Sequence, residues 1–233
     1  MNDTFVNLII GAEMNKLNYK SEIVKTIQKL SGKYSPYNIF RDWCEISALA
    51  IQNACVLRHD KVWEKREEMF NAIYAKYTDD ERQDLLYMFN LLPEAMEEKM
   101  GDILGEIYME SGAGNKYVGQ FFTPFHLSVL TANLGLEKFD GKVIELNEPS
   151  IGSGGMIIAA AKAIEEKGYN YQKCMKVVGQ DLDWLAVYMA YVQLSLFGID
   201  AVIVQGDTLL EPYTTGYPPE RTLRTPRNTG SLI

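Results

Sequence analysis

Residues 141–168 read GKVIELNEPSIGSGGMIIAAAKAIEEKG: an apolar run, three glycines within four positions, then a helix-like run. A strand that turns through bare backbone directly into an apolar helix points to few architectures. Glycine is used where the chain must bend into conformations other residues avoid, or where something must approach it closely. Downstream, the sequence predicts a strand at Met175–Gly179, a helix from about Trp184 to Phe197 and a strand at Ala201–Val204. With the first strand at Val143–Leu146, this alternation gives parallel βαβ units. A helix from Thr123-Pro124 through Leu134 precedes them.

Residues 1–113 read as helical throughout. SEIVKTIQKLSG places Ile23, Val24, Ile27 and Leu30 on one face and stops at Gly32. Ser35-Pro36 is an N-cap followed by proline at the first helical position. Asp60 is a cap for a helix through Trp63, Met69 and Ile73, and Thr78-Asp-Asp-Glu81 is a capping box. Pro93 is expected to open a helix running to about Met109. The aromatic and methionine stripes here read as core. SGAGNKYVG (111–119) is a glycine-rich connector. The expected organisation is a helical domain over 1–113, a ligand-binding α/β domain over 114–212 and a Pro/Thr/Arg-rich tail over 213–233.

Composition narrows the function classes. Three cysteines and two histidines, scattered along the chain, supply neither a disulfide framework nor a metal site. No apolar run approaches the roughly 20 residues of a membrane helix, and the N-terminus lacks a basic n-region and a cleavage site. A cytoplasmic, metal-free protein is the expectation. Net charge is −8: residues 1–113 carry 13 Lys+Arg against 19 Asp+Glu, and residues 114–233 carry 10 against 12. Phosphate contact favours a basic surface. If DNA is a partner, the second half or a separate subunit meets it.

Ligands of open parallel sheets sit beyond the carboxyl ends of the strands. Three such ends are visible: Glu148-Pro149-Ser150-Ile151-Gly152-Ser153-Gly154-Gly155, Gly179-Gln180-Asp181-Leu182-Asp183, and Gly206-Asp207. A glycine turn followed by an acid at the next strand end is a nucleoside-binding layout. A nicotinamide dinucleotide fits poorly: the G-x-G-x-x-G/A fingerprint is broken at Ile157, and Glu148 would repel a pyrophosphate. An acid there suits a cationic ligand with an amino-acid end, such as S-adenosylmethionine. Glu148 would then face its ammonium side, Asp181 its ribose and Asp207 its adenine amine. Any one of these residues alone reads equally well as a turn or cap.

Four segments, in order, resemble motifs of the type I restriction-modification methylation subunits: Gly119-Gln120-Phe121-Phe122-Thr123-Pro124, Glu148-Pro-Ser-Ile-Gly-Ser-Gly-Gly-Met156, Gly179-Gln-Asp181 and Gly206-Asp207-Thr208-Leu209. That family consists of S-adenosylmethionine-dependent N6-adenine DNA methyltransferases. The resemblance implies an N-terminal helical domain followed by a Rossmann-like methyltransferase domain, here incomplete, with a short parallel sheet. It implies S-adenosylmethionine as cofactor, with Gln120, Phe121, Phe122, Thr123 and Pro124 shaping the site beside the turn. Glu148, Pro149, Ser150, Gly152, Ser153, Gly154, Gly155, Met156, Asp181, Leu182, Asp207 and Thr208 would make up the rest. Glu148 stands where the family has Asp, and Ile151 where it usually has Cys.

The family's acceptor loop, Asn-Pro-Pro-aromatic, is thought to localise the N6 lone pair and to stack on a flipped base. It has no match here, and the catalytic residues are unknown from sequence. The nearest string, Tyr217-Pro218-Pro219, is the candidate for that loop's role, and a proline-positioned turn is the competing reading. Arg221, Arg224 and Arg227 fall at three-residue spacing and are candidates for phosphate contact. A solvated loop, or a strap over the sheet edge, fits them as well. A three-strand sheet leaves an open edge, so the tail, a second copy or a partner chain is expected to cover it. A cofactor-binding but inactive interaction or regulatory subunit of a DNA modification or anti-restriction system is the competing expectation.

Overall fold

The computed structural model describes residues 18–114, 122–213 and 217–230. Five helices come first: α1 (Tyr19–Leu30), α2 (Pro36–Ala54), α3 (Lys61–Tyr74), α4 (Asp79–Glu98) and α5 (Ile103–Glu110). Their starts follow local chemistry. Ser35 accepts the Asn38 N–H with Pro36 behind it. Asp60 accepts from Val62 and Trp63, and Thr78 and Glu81 close a reciprocal capping box. Pro93 does not open a helix; it sits inside α4, and the break comes later, at 99–102. Asp102 there caps α5 by accepting the Gly105 N–H.

After α6 (Phe125–Gly135), strands and helices alternate: β1 (Ile144–Glu148), α7 (Gly155–Glu166), the one-turn α8 (Tyr171–Cys174), β2 (Met175–Asp181), α9 (Trp184–Leu196) and β3 (Asp200–Gln205). β1–β2 and β2–β3 pair in parallel, with Glu148 opposite Gly179 and Asp181 opposite Gln205. The α/β expectation holds, with all three carboxyl ends at one end of the sheet.

The tail carries regular structure beyond the turn that its prolines suggest. Pro219–Arg221 form a 3-10 turn, β4 (Thr222–Arg224) pairs antiparallel with β3, and α10 (Pro226–Thr229) follows. Polar contacts outweigh the poor intrinsic propensity of this segment. The buried Thr225 hydroxyl donates to the Ile199 carbonyl at 2.7 Å and accepts the Ala201 N–H at 3.0 Å. The helical half clamps the same segment from outside. Arg66 of α3 donates to the Pro219 and Thr222 carbonyls, both at 2.9 Å, and Gln52 of α2 accepts the Arg224 N–H at 2.7 Å. β4 therefore covers the β3 edge, and β1 forms the other edge among the described residues.

One run of buried apolar side chains extends from Ile23 in α1 to Leu223 in β4. Aromatic rings carry the packing toward the strand tips. Phe40 meets Trp43 at 6.1 Å and Tyr108 at 5.5 Å between ring centroids, and Tyr108 meets Phe122 edge-on at 5.4 Å. Among the described residues, no helix is long and apolar enough to cross a membrane.

Charged donors clamp the tail, and such bonds contribute about 1.5–3 kcal/mol each when buried and less when half-exposed. Arg66→Met is expected to cost about 1–2 kcal/mol. It should also speed hydrogen exchange at Thr222–Arg224 while leaving β1 and β2 protected, which peptide-level exchange mass spectrometry would read directly.

Candidate binding site at the strand tips

The three strand ends are laced together. The Ile151 N–H donates to the Gln180 carbonyl at 2.9 Å and the Gly206 N–H to the Asp181 carbonyl at 2.8 Å. The Thr208 hydroxyl donates to the Pro149 carbonyl at 2.6 Å. Asp181 joins two of the tips through its side chain, with Oδ2 accepting the Gly152 N–H at 2.9 Å and Oδ1 the Asp183 N–H at 3.0 Å. Asp207 Oδ1 accepts from Leu209 and Leu210, holding the third turn.

Glu148 lies close enough to Asp181 for their charges to interact. Burial pushes the Glu148 carboxyl above the usual range. The Ser150 N–H pulls it back, and the neighbouring Asp181 charge pushes it up again. No lysine or arginine among the described residues forms an ion pair with either carboxylate. Beside them, Leu182 is 66% exposed, Leu209 92% and Leu210 81%.

What approaches the glycine backbone, in large part, is protein. Gly152 and Gly154 have φ of +55° and +92°, which side chains resist. A β-carbon at Gly152 would meet the Phe122 ring at 3.2 Å. At Gly154 it would meet the Ala190 Cα of α9 at 3.4 Å, and at Gly155 the Asp102 carboxylate at 3.2 Å. Gly179 has the same cause, because Ile151 occupies the space a side chain would need. Most of this glycine usage lets Phe122, α9 and the helical half close on the loop.

Asp102, only 4% exposed, is the centre of that closure. Its carboxylate accepts from the Ser153 hydroxyl at 2.5 Å, from Gln193 Nε2 of α9 at 2.9 Å and from the Gly105 N–H at 3.0 Å. Gln193 also donates to the Ser153 carbonyl at 2.7 Å and accepts the Leu104 N–H at 3.0 Å. Burial raises the Asp102 carboxyl above its ordinary value, and these three hydrogen bonds pull against the rise. Sequence reasoning missed Asp102 and Gln193. Their signal, a polar residue inside an apolar stripe, is visible only once the facing element is known.

The structure brings some of the expected residues together and separates others. Glu148, Asp181, Leu182, Asp207 and Thr208 meet at the tips, with Pro149 and Ser150 exposed between them and Phe122 against the loop. Thr123 and Pro124 are exposed at the start of α6, and Met156 is half-buried in the first turn of α7. Gln120 and Phe121 lie outside the described residues. Ser153, by contrast, is buried and committed to Asp102. In the tail, the Tyr217 hydroxyl accepts from Gln180 Nε2 at 2.8 Å and donates to the Glu211 carbonyl, and its ring stacks on Tyr213. Pro218 and Pro219 lead into the 3-10 turn. Arg221 donates to the Gln205 carbonyl and to Glu211, both at 2.8 Å, and Arg224 to Asn228 at 3.1 Å, while Arg227 is exposed. No group of metal-ligating side chains occurs among the described residues.

Glycine turn, acid-bearing second strand end and acid-bearing third strand end sit together on an α/β fold with a helical preface. The chain belongs to the N-6 DNA methylase family, whose family model matches residues 97–223. The type I restriction enzyme MjaIX methylase subunit of Methanocaldococcus jannaschii is 26% identical over 161 residues, covering 66% of this chain and 28% of that protein. The chain thus spans little more than a quarter of that relative's length. Among solved structures, a class I S-adenosylmethionine-dependent methyltransferase from Listeria monocytogenes is similar with a TM-score of 0.47 and 14% identity, over 82% of this chain and 54% of that one. The type I restriction-modification methyltransferase subunit from Streptococcus thermophilus gives a TM-score of 0.41 and 21% identity, over 68% and 35% of the two chains.

Asp102→Ala strands three buried donors and is expected to cost about 2–4 kcal/mol, whereas Asp102→Asn keeps an acceptor and should cost less than about half of that. The pH response separates them further. A raised carboxyl means the native state binds more protons than the unfolded chain, so this contribution is fully present at low pH. It is lost as pH rises from the ordinary value of 3.8 through the higher folded one. Denaturant titrations across that window should show the loss in the parent protein and not in Asp102→Asn.

Proposed function

We propose that the strand tips bind S-adenosylmethionine and that the chain takes part in methyl transfer to the N6 of adenine in DNA. The observation that carries this reading is the pair Glu148 and Asp181, charge beside charge, with no cationic side chain paired to either among the described residues. A sulfonium ligand with an ammonium group relieves that repulsion. Membership of the N-6 DNA methylase family supports the same ligand and acceptor.

Each residue has a task in this reading. Glu148 faces the ammonium side. Asp181 is fixed by the Gly152 and Asp183 N–H groups, and its remaining lone pairs accept from the ribose hydroxyls. Asp207 spends Oδ1 on its own turn and keeps Oδ2 for the adenine amine. The exposed Leu182 and Leu209 enclose the adenine ring, and Phe122 to Pro124, with Gln120 and Phe121 ahead of them, border the loop. The bound cofactor supplies an electrophilic methyl on sulfur. The chain's contribution is to fix that methyl in place, because holding reacting atoms about 3–3.5 Å apart accounts for much of such a rate.

Tyr217 belongs to the tail's hydrogen bonding, and none of the described residues is assigned a grip on the acceptor base. The relative is by name a subunit, and the β1 edge is where a partner strand would pair. Of the tail arginines, Arg227 is the one left to phosphate. With a net charge of −8, DNA would be met chiefly through that partner.

Calorimetry with S-adenosylmethionine tests the reading. Saturable binding is expected, weakened at least about tenfold by Asp181→Asn or Glu148→Gln. The affinity of the parent should fall as pH falls through the raised Glu148 value, since the protonated acid no longer attracts a cation, and Glu148→Gln should lack that fall. Absence of heat at millimolar cofactor would sink the assignment. Methyl incorporation into DNA, with and without a co-purified partner, then locates the acceptor machinery.

A further inference from the structure

A cavity of about 600 Å³ lies between α2, α3, the start of α9 and the tail. The strand-tip carboxylates are not among its lining residues. Its floor is apolar, formed by the buried Leu49, Leu185 and Leu223. Trp184 and Tyr188 line it with their rings stacked, centroids 5.2 Å apart and planes 27° from parallel, and Tyr37 lines it from α2.

One carboxylate in this apolar setting is poorly satisfied. Glu45 accepts from the Tyr188 hydroxyl at 3.4 Å, a long contact, and forms no ion pair among the described residues. Burial pushes its carboxyl up, the Arg41 charge draws it down, and Asp42 pushes it up again. The other charges of the cavity are spoken for or lie at the rim. Arg66 is held by tail carbonyls, Arg221 by the Gln205 carbonyl of β3 and by Glu211, and Asp183 caps α9. Arg41 reaches Asp42 at 3.3 Å. Exposed Lys65 and Glu220 stand at the mouth.

We propose that this cavity is a nucleotide site that takes a guanine base against Trp184 and Tyr37, with Glu45 on the base edge and Lys65 and Arg41 toward the phosphate. Stacking accepts any base, because each has a π-face. The carboxylate selects among them. Guanine presents two adjacent N–H donors, at N1 and N2, to its two oxygens, and paired charge-assisted bonds of this kind are the strong ones. Adenine and cytosine set a ring nitrogen acceptor beside their amine. Thymine flanks its one N–H with carbonyls, which repel the acid. The site does not depend on the reading of the strand tips.

Titration of the full chain with dGMP, dAMP and dTMP, followed by calorimetry and by the indole N–H resonance of Trp184, tests this. Saturable dGMP binding is expected, at least about tenfold tighter than dAMP or dTMP, with Trp184 shifting while Trp43 does not. Glu45→Gln should reduce dGMP affinity about tenfold without lowering the melting temperature, and Lys65→Met should weaken it and flatten its salt dependence. The variant Asp181→Asn should bind dGMP like the parent, which separates this site from the strand tips. A single-stranded oligonucleotide carrying one guanine decides the source: tighter, salt-sensitive binding than dGMP means a base within a strand, and equal binding means a free nucleotide. No saturation by millimolar dGMP, an equal Trp184 shift with dTMP, or an unchanged Glu45→Gln titration would overturn the proposal.

Discussion

A carboxylate sealed inside this protein governs how its two halves meet. Asp102 belongs to the helical sequence, yet its partners are the glycine-turn Ser153 and the α9 residue Gln193. A buried acid is costly unless donors surround it, and those donors exist only when α5, the loop and α9 are all in place. The loop geometry at the strand tips is thereby set from beneath. Phe122 presses on the same loop from the other flank, carried there by the ring contacts that start at Trp43. The helical half is thus part of the site's foundation, touching the glycine turn through the Asp102 carboxylate.

This changes what the glycines mean. GSGG invites the idea that a ligand hugs bare backbone. The structure gives each glycine a protein neighbour: Phe122 for Gly152, Ala190 for Gly154 and Asp102 for Gly155. Mutating a glycine would therefore damage packing first, and a loss of binding after such a change would say little about contact.

Much was legible in the sequence where the cause is local. Ser35, Asp60 and Thr78 announce helix starts because a cap needs only its next few residues. The βαβ pattern and the three acid-bearing tips follow from alternation alone. What stayed hidden depends on distant partners. β4 has a weak strand signal, since its order comes from Thr225, Arg66 and Gln52 rather than from its own side chains. Pro93 looked like a helix start, but tertiary packing carries α4 through it. Ser153 read as a ligand contact because its spacing fits the motif, and only the position of Asp102 reveals that its hydroxyl is already taken.

The clamps on β4 also bear on the order in which the molecule can assemble. A chain emerging from synthesis presents its helices first, and α2 and α3 then carry Gln52 and Arg66 with nothing to hold. The three parallel strands and β4 arrive afterwards, onto a surface already laid down by the helices that precede them. Covering of the β3 edge is thus a late docking event, and that edge left bare would be open to pairing with neighbouring molecules until it is done.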